Sequence, residues 1–192
     1  MGRKAYFKNE DFLESAIRII SEEGLGALTI AGLSTRMTAP IGSVYHRFPS
    51  RDALIAELWL SIVESFQNEW LKILQTDGRQ ATIFCMEWVR NRPNEARVML
   101  LYRIEDLVSG EWPKDLQIRA ERLFKQLQDG ITAFTKKQFG KVTNEKIDRS
   151  IYALHDAPMG ILRRYMQDNK MPPKSVASLI LETYDAIIEK AK

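Results

Sequence analysis

Apolar residues recur at every third or fourth position along almost the whole chain, and no stretch alternates apolar with polar as a half-buried strand does. That period predicts helices packed on helices. Phe12, Leu13, Ala16, Ile17 and Ile20 share one helical face. Gly24 stops it, because glycine takes the left-handed C-terminal conformation without a Cβ penalty. Thr29 suits the N-cap of a short helix to Met37, with Ile30 and Leu33 inward. A third short helix covers about 40–47. Ser50 then caps a long helix carrying Leu54, Leu58, Ile62, Phe66 and Leu74, and Asp52 in its first turn suits the helix dipole.

The second half continues in the same way. Ala81, Phe84, Cys85 and Trp88 stripe one helix. Pro93 opens another at a position where its missing N–H costs nothing, followed by Ala96, Met99, Leu100 and Arg103. Ser109-Gly110-Glu111-Trp112-Pro113 reads as a loop. Leu116, Ala120, Leu123, Leu127, Ile131 and Phe134 mark a long helix ending near Gly140. Thr143 caps the next, with Ile147, Ile151, Leu154, Ile161, Leu162 and Tyr165; Pro158 inside that pattern is expected to kink or loosen it. Pro172-Pro173 opens the last helix, whose expected inner face is Val176, Leu179, Ile180, Thr183 and Ile187.

Composition narrows the class. A chain of 192 residues buries about 70% of its unfolded surface on folding, enough for a core without disulfide or metal staples. The single cysteine, Cys85, allows no internal disulfide and points to a reducing cytosol. There is no apolar run of membrane-spanning length and no signal-peptide core, and Tyr6 stands where a myristoylation signal wants Ser or Thr. The net charge of +3 is too small to argue for an anionic partner by itself.

Its placement says more. Residues 1–52 hold seven lysines and arginines against six carboxylates, yet from Thr35 to Arg51 there are three arginines (Arg36, Arg47, Arg51) and no carboxylate. Arg3, Lys4 and Lys8 form a second basic cluster, an arm toward phosphate or minor groove. Between them the chain reads as short helix, tight turn at Thr38-Ala39, second short helix, and turn at Pro49: the outline of a helix-turn-helix. Its second helix would enter a DNA major groove. Gly42 allows close approach, Ser43 can bond a base edge, and Ile41 offers an apolar contact to a thymine methyl. Tyr45 and His46 have polar tips for phosphate oxygens, and Arg36, Arg51 and the helix N-terminus at Thr29 add further phosphate contacts. Val44 and Phe48 read as core.

This stretch closely resembles the helix-turn-helix of the TetR (tetracycline-repressor-like) family of bacterial transcription regulators. The matching residues are Ala16 and Gly24, then Thr29-Ile30-Ala31, Gly42-Ser43-Val44-Tyr45-His46-Arg47-Phe48, and Ser50-Arg51-Asp52-Ala53-Leu54. The match is specific over about 8–58; beyond it the length and helical pattern fit the family. Thr38-Ala39 stands where Gly-Val is usual, and Pro40-Ile41 replaces a commonly polar or basic pair. The resemblance implies an all-α fold of about nine helices: a three-helix helix-turn-helix domain over 1–50 joined to a C-terminal helical effector-binding and dimerisation domain over 51–192. It implies a cytoplasmic, nucleoid-associated homodimer, paired through its last two helices (about 143–168 and 172–191). Such a dimer acts as a repressor of a double-stranded DNA operator, released by a small apolar or aromatic effector. Candidate effector contacts are Phe66, Phe84, Trp88, Met99, Tyr102, Phe124, His155 and Met159. Of the second-half aromatics as a whole, those just named together with Trp59, Trp70, Trp112, Phe134, Tyr152, Tyr165 and Tyr184, most read as core or dimer interface, and some, with Met86, Met99 and Met159, as the lining of an apolar cavity between helices. His155-Asp156 reads equally as a pocket anchor or a solvated pair.

No catalytic constellation, cofactor loop, metal-ligand spacing or membrane partner is expected. Only two histidines are present, and Cys85 sits on an apolar stripe as a small buried hydrophobe. Ser21-Glu22-Glu23 and Glu105-Asp106 read as solvated charges. Two other readings fit the same residues: an effector-independent DNA-bound regulator, and a helical small-molecule-binding protein with a vestigial helix-turn-helix.

Overall fold

The computed structural model describes residues 7–102 and 112–189. Arg3, Lys4, Arg103, the Glu105-Asp106 pair, Ser109–Glu111 of the expected loop and Ala191 lie outside the described residues. Among the described residues, every regular element is helical. Helix α1 (Asn9–Glu23) opens with the Lys8 N–H donating to the Asp11 carboxylate at 2.6 Å and ends at Gly24, φ 86°. A 3-10 turn (Leu25–Ala27) leads to α2 (Ile30–Met37) and α3 (Ile41–Arg47). These three helices close on Phe12, Ala16, Leu28, Leu33, Val44 and Phe48, all buried. The rings of Phe12 and Phe48 meet edge-on with centroids 6.2 Å apart.

The turn between α2 and α3 departs from the easy solution. Thr38 sits at φ 54°, ψ 33°, a left-handed conformation that a β-branched residue rarely adopts. Hydrogen bonds hold it there. The Thr38 and Ala39 N–H groups donate to Thr35 and Ser34, and the buried Ser34 hydroxyl donates to the Ala39 carbonyl at 2.7 Å.

Helix α4 (Arg51–Thr76) has 26 residues and so spans about 39 Å. Ser50 caps it, its hydroxyl accepting from Ala53 N–H at 3.0 Å. Helices α5 (Gly78–Asn91), α6 (Pro93–Leu101) and α7 (Lys114–Phe139) follow. A Cβ on Gly78 would lie 2.3 Å from the Phe134 ring and 2.7 Å from the Tyr184 hydroxyl, so only glycine allows α5 this close to its neighbours. Arg119 of α7 clamps α4 through Glu57 at 2.7 Å and Glu64 at 2.6 Å, with all three side chains half-buried.

Helix α8 starts at Thr143, whose hydroxyl accepts from Lys146 N–H. It runs as α-helix over Asn144–Ile151, widens to a π turn at Tyr152–Asp156 and resumes over Ala157–Gln167. This is how the chain accommodates Pro158: the Ala157 N–H reaches back five residues to Tyr152. Pro158 has no N–H for the Leu154 carbonyl, and the Cys85 thiol lies 3.9 Å from that oxygen.

The last helix, α9 (Ser175–Tyr184), corrects the expected face. Val176, Ile180, Tyr184 and Ile188 form the buried stripe, whereas Leu179 is half exposed and Thr183 and Ile187 only partly buried. A π turn over Asp185–Glu189 continues the four-residue step, so Ile188 goes inward in place of Ile187. Among the described residues, no helix is long and apolar enough to cross a membrane, and no cluster of His, Cys, Asp or Glu could hold a metal ion.

Candidate nucleic-acid interface and internal cavity

Helix α3 is anchored by Val44 and Phe48, one turn apart and both buried. The intervening positions must therefore face out. Ile41 is 46% and Tyr45 50% exposed, and Gly42 and His46 are also exposed. Nothing lies within 4 Å of where a Gly42 Cβ would stand. Ser43 is half-buried. Thr29 caps α2, its hydroxyl accepting from Gly32 N–H at 2.9 Å. A Cβ on Gly32 would meet that hydroxyl at 2.9 Å, so the cap itself requires glycine there.

The arginines differ from the expectation. Arg36 turns away from α3 to two carboxylates at the end of α1, Glu22 at 2.5 Å and Glu23 at 2.8 Å. Those hydrogen bonds, Glu22 first, raise its pKa above the ordinary arginine value against a smaller desolvation. Arg51 donates from Nε to the Leu28 carbonyl at 2.6 Å and from Nη2 to Leu25 at 2.8 Å. Arg47 donates to Ser43 and Phe7 carbonyls and lies over the Phe12 ring, 5.2 Å from its centroid. Each has an internal partner that sequence cannot reveal, because each partner depends on how α1, α2 and α4 meet. In this structure Arg36 and Arg51 are both engaged internally.

The second feature is a cavity of about 540 Å³ between α4, α6, α7 and α8. Five candidate effector residues line it: Phe66, Met99, Tyr102, His155 and Met159. Phe84 and Trp88 stand one layer behind, against Phe66 at centroid distances of 5.8 Å and 5.2 Å. Phe124 is 62% exposed on α7 and is not among the lining residues. It follows the buried Leu123 by one position, which on a helix turns it away from the core.

The lining also includes Trp59, Val63, Gln67, Trp70, Leu100, Leu127 and Arg163. Two spacings carried the signal: Trp59, Val63, Phe66, Gln67 and Trp70 on one face of α4, and His155, Met159 and Arg163 four residues apart on α8. The buried wall is aromatic and apolar. Gln67 is 4% exposed and fixed there by donating to the Leu123 carbonyl at 2.8 Å. The indole nitrogens of Trp59, Trp70 and Trp88 are buried without an oxygen or nitrogen partner, and that of Trp70 faces the Cys85 sulfur, a weak acceptor. Burial pushes the Cys85 thiol up to about 12, so it is no nucleophile at neutral pH.

No curated protein matches the chain in sequence. Residues 12–58 match the family model of bacterial regulatory proteins, tetR family. Solved structures share the fold over nearly the full length. A Shewanella sp. PV-4 protein assigned to the tetR family aligns with a TM-score of 0.70 at 15% identity, covering 96% of this chain and 97% of that one. FadR from Bacillus subtilis, a transcriptional regulator solved with stearoyl-CoA, aligns with a TM-score of 0.69 at 11% identity, covering 94% and 98%. A TetR family transcription regulator from Marinobacter aquaeolei VT8 aligns with a TM-score of 0.69 at 11% identity, covering 94% of each chain. Residues 12–58 thus carry the N-terminal helix-turn-helix of the tetR family model, and the chain as a whole shares the fold of these solved regulators.

Proposed function

We propose that the protein is a homodimeric repressor that leaves its DNA operator when a small apolar or aromatic effector enters the α4–α8 cavity. Residues 1–50 are the reading head in this reading and residues 51–192 the effector and dimerisation body, working in a bacterial cytoplasm. One observation carries it. The same helix, α4, is bonded at Arg51 to the carbonyl just before the α2 cap and forms the cavity wall from Trp59 to Trp70. An occupant that moves α4 therefore moves α3. A hundredfold change in operator affinity needs only about 2.7 kcal/mol of coupling between the two sites.

Ser43, Tyr45, His46 and the α2 N-terminus at Thr29 are the proposed DNA contacts, with Ile41 and Gly42 against base edges. Two reading heads on a dimer would address half-sites about 34–36 Å apart, or a multiple of that. The proposed seam is α8 with α9, where Tyr152 and Leu179 stand half exposed on the outer face. Two copies of this pair make a four-helix bundle.

The decisive experiment is a footprint of the purified protein on the intergenic DNA beside its own gene, with Tyr45→Ala as control. The wild type is expected to protect a palindrome. The variant should bind roughly tenfold more weakly, the weight of one hydrogen bond to a charged group, with an unchanged melting temperature. Equal affinity would remove Tyr45 from the interface, and a monomer by sedimentation at micromolar concentration would remove the spacing mechanism.

A further inference from the structure

The cavity is polarised along its length. Its buried part is Trp70, Phe66 and the fixed Gln67, and its outer side carries the exposed side chains of Arg163 and His155. Arg163 is held by one bond only, Nε to the Leu100 carbonyl at 2.8 Å, which leaves both terminal nitrogens without a partner among the described residues. His155 is held by Asp156 through Nδ1 at 2.9 Å, leaving Nε2 unpartnered. Among the described residues lining the cavity there is no Asp or Glu.

We propose that the cavity selects an amphipathic organic monoanion, its apolar body against the Trp59–Trp70 wall and its carboxylate at Arg163. This rests on the effector reading of the same cavity. The guanidinium is the reason for a carboxylate. Once Nε is committed to the backbone, Nη1 and Nη2 still present a planar pair of donors matched to a two-oxygen acceptor. A cationic head would meet Arg163 without a lining carboxylate to offset it, and a neutral one would leave the guanidinium's donors to water. The wall sets the body. Trp and Phe rings with Met99 and Met159 accept flat or flexible apolar groups alike. The cavity's volume of about 540 Å³ lies within the range of small-molecule sites. A free carboxylic acid offers that carboxylate, whereas an acyl thioester conjugate does not.

The test uses the full-length protein and tryptophan fluorescence, since Trp59 and Trp70 stand in the wall. Decanoate, decanol and decylamine are titrated as one set, and 2-naphthoate and 2-naphthol as a second; decanoyl-CoA against decanoate separates the conjugate from the free acid. The acids are expected to bind at least about tenfold more tightly than their neutral partners, the amine more weakly still. Arg163→Met should remove the preference for acid while leaving decanol affinity unchanged, and Arg163→Lys should keep part of it. Equal binding of acid and alcohol overturns the proposal. So does equal loss for both in Arg163→Met, or no binding by any probe.

Operator binding is read in parallel. Acid-selective binding without a change in DNA affinity would leave the ligand class standing and remove the effector reading. Operator release by a neutral compound in a protein that ignores the acids would do the reverse.

Discussion

Arg51 Nε donates to the carbonyl of Leu28 at 2.6 Å. The first residue of the long helix α4 thus holds the residue immediately before Thr29, the cap of α2. Its second bond, to Leu25 at 2.8 Å, fixes the 3-10 turn that leads there. This joins the helix-turn-helix to the helix that forms the cavity wall.

Arg51→Ala is therefore expected to cost about 1–3 kcal/mol of folding stability, since the Leu28 carbonyl loses its donor and the Leu25 carbonyl keeps only the Leu28 N–H. It should also weaken operator binding while leaving the salt dependence of that binding unchanged. Denaturant unfolding and a binding series in salt check both. A shallower salt slope with normal stability would return Arg51 to the phosphates.

Arg36 gives the opposite test. Its charge is engaged by Glu22 and Glu23 in the free protein. Replacing both by glutamine frees the Arg36 cation on α2. The slope of log affinity against log salt is expected to steepen by about 0.9, the value of one phosphate contact on duplex DNA. Arg36→Ala alone is expected to leave the slope where it was.

Thr38 stores strain in the turn of the helix-turn-helix. Asparagine tolerates the left-handed conformation far better than a β-branched residue. Thr38→Asn is expected to raise stability by roughly 1 kcal/mol, read as a shift of the denaturant midpoint at constant slope. A loss of stability would mean that the threonine side chain itself supports the turn.

Cys85 predicts an alkaline limit. Burial raises its pKa from an ordinary 9.0 to about 12 in the folded protein. The folded state then holds the proton that the unfolded state gives up. Its contribution to stability is complete below pH 9 and is lost as pH rises from 9 toward 12, about 1.4 kcal/mol of it by pH 10. Cys85→Ala should flatten this fall between pH 8 and pH 10, and the native thiol should resist alkylation until the protein unfolds. Tyr184, also pushed up to about 12 by burial and then by Asp77 and neighbouring carboxylates, adds a similar loss above pH 10 in both proteins.

The linear order of residues determined which segments are helices, where they start and stop, and which residues of α3 face out. These are local matters. A Gly24 or Gly140 at positive φ, a Thr29, Ser50 or Thr143 hydroxyl bonded three residues on, and Val44 and Phe48 one turn apart need no distant partner to be read. Pro158 announced a disturbed helix but not its form, because a π turn depends on what α8 packs against. Tertiary structure decided the partners. Arg36, Arg47 and Arg51 look alike as cations in a chain, and each found a carboxylate or a carbonyl on another element. It also sorted the aromatics: Trp59 and Phe66 stand on the cavity, Phe84 and Trp88 behind it, and Phe124 outside it. Helical periodicity says only that a side chain points toward a neighbour. Which neighbour, and whether a space remains between them, is fixed by how the helices cross, and that depends on close approaches such as α5 at Gly78.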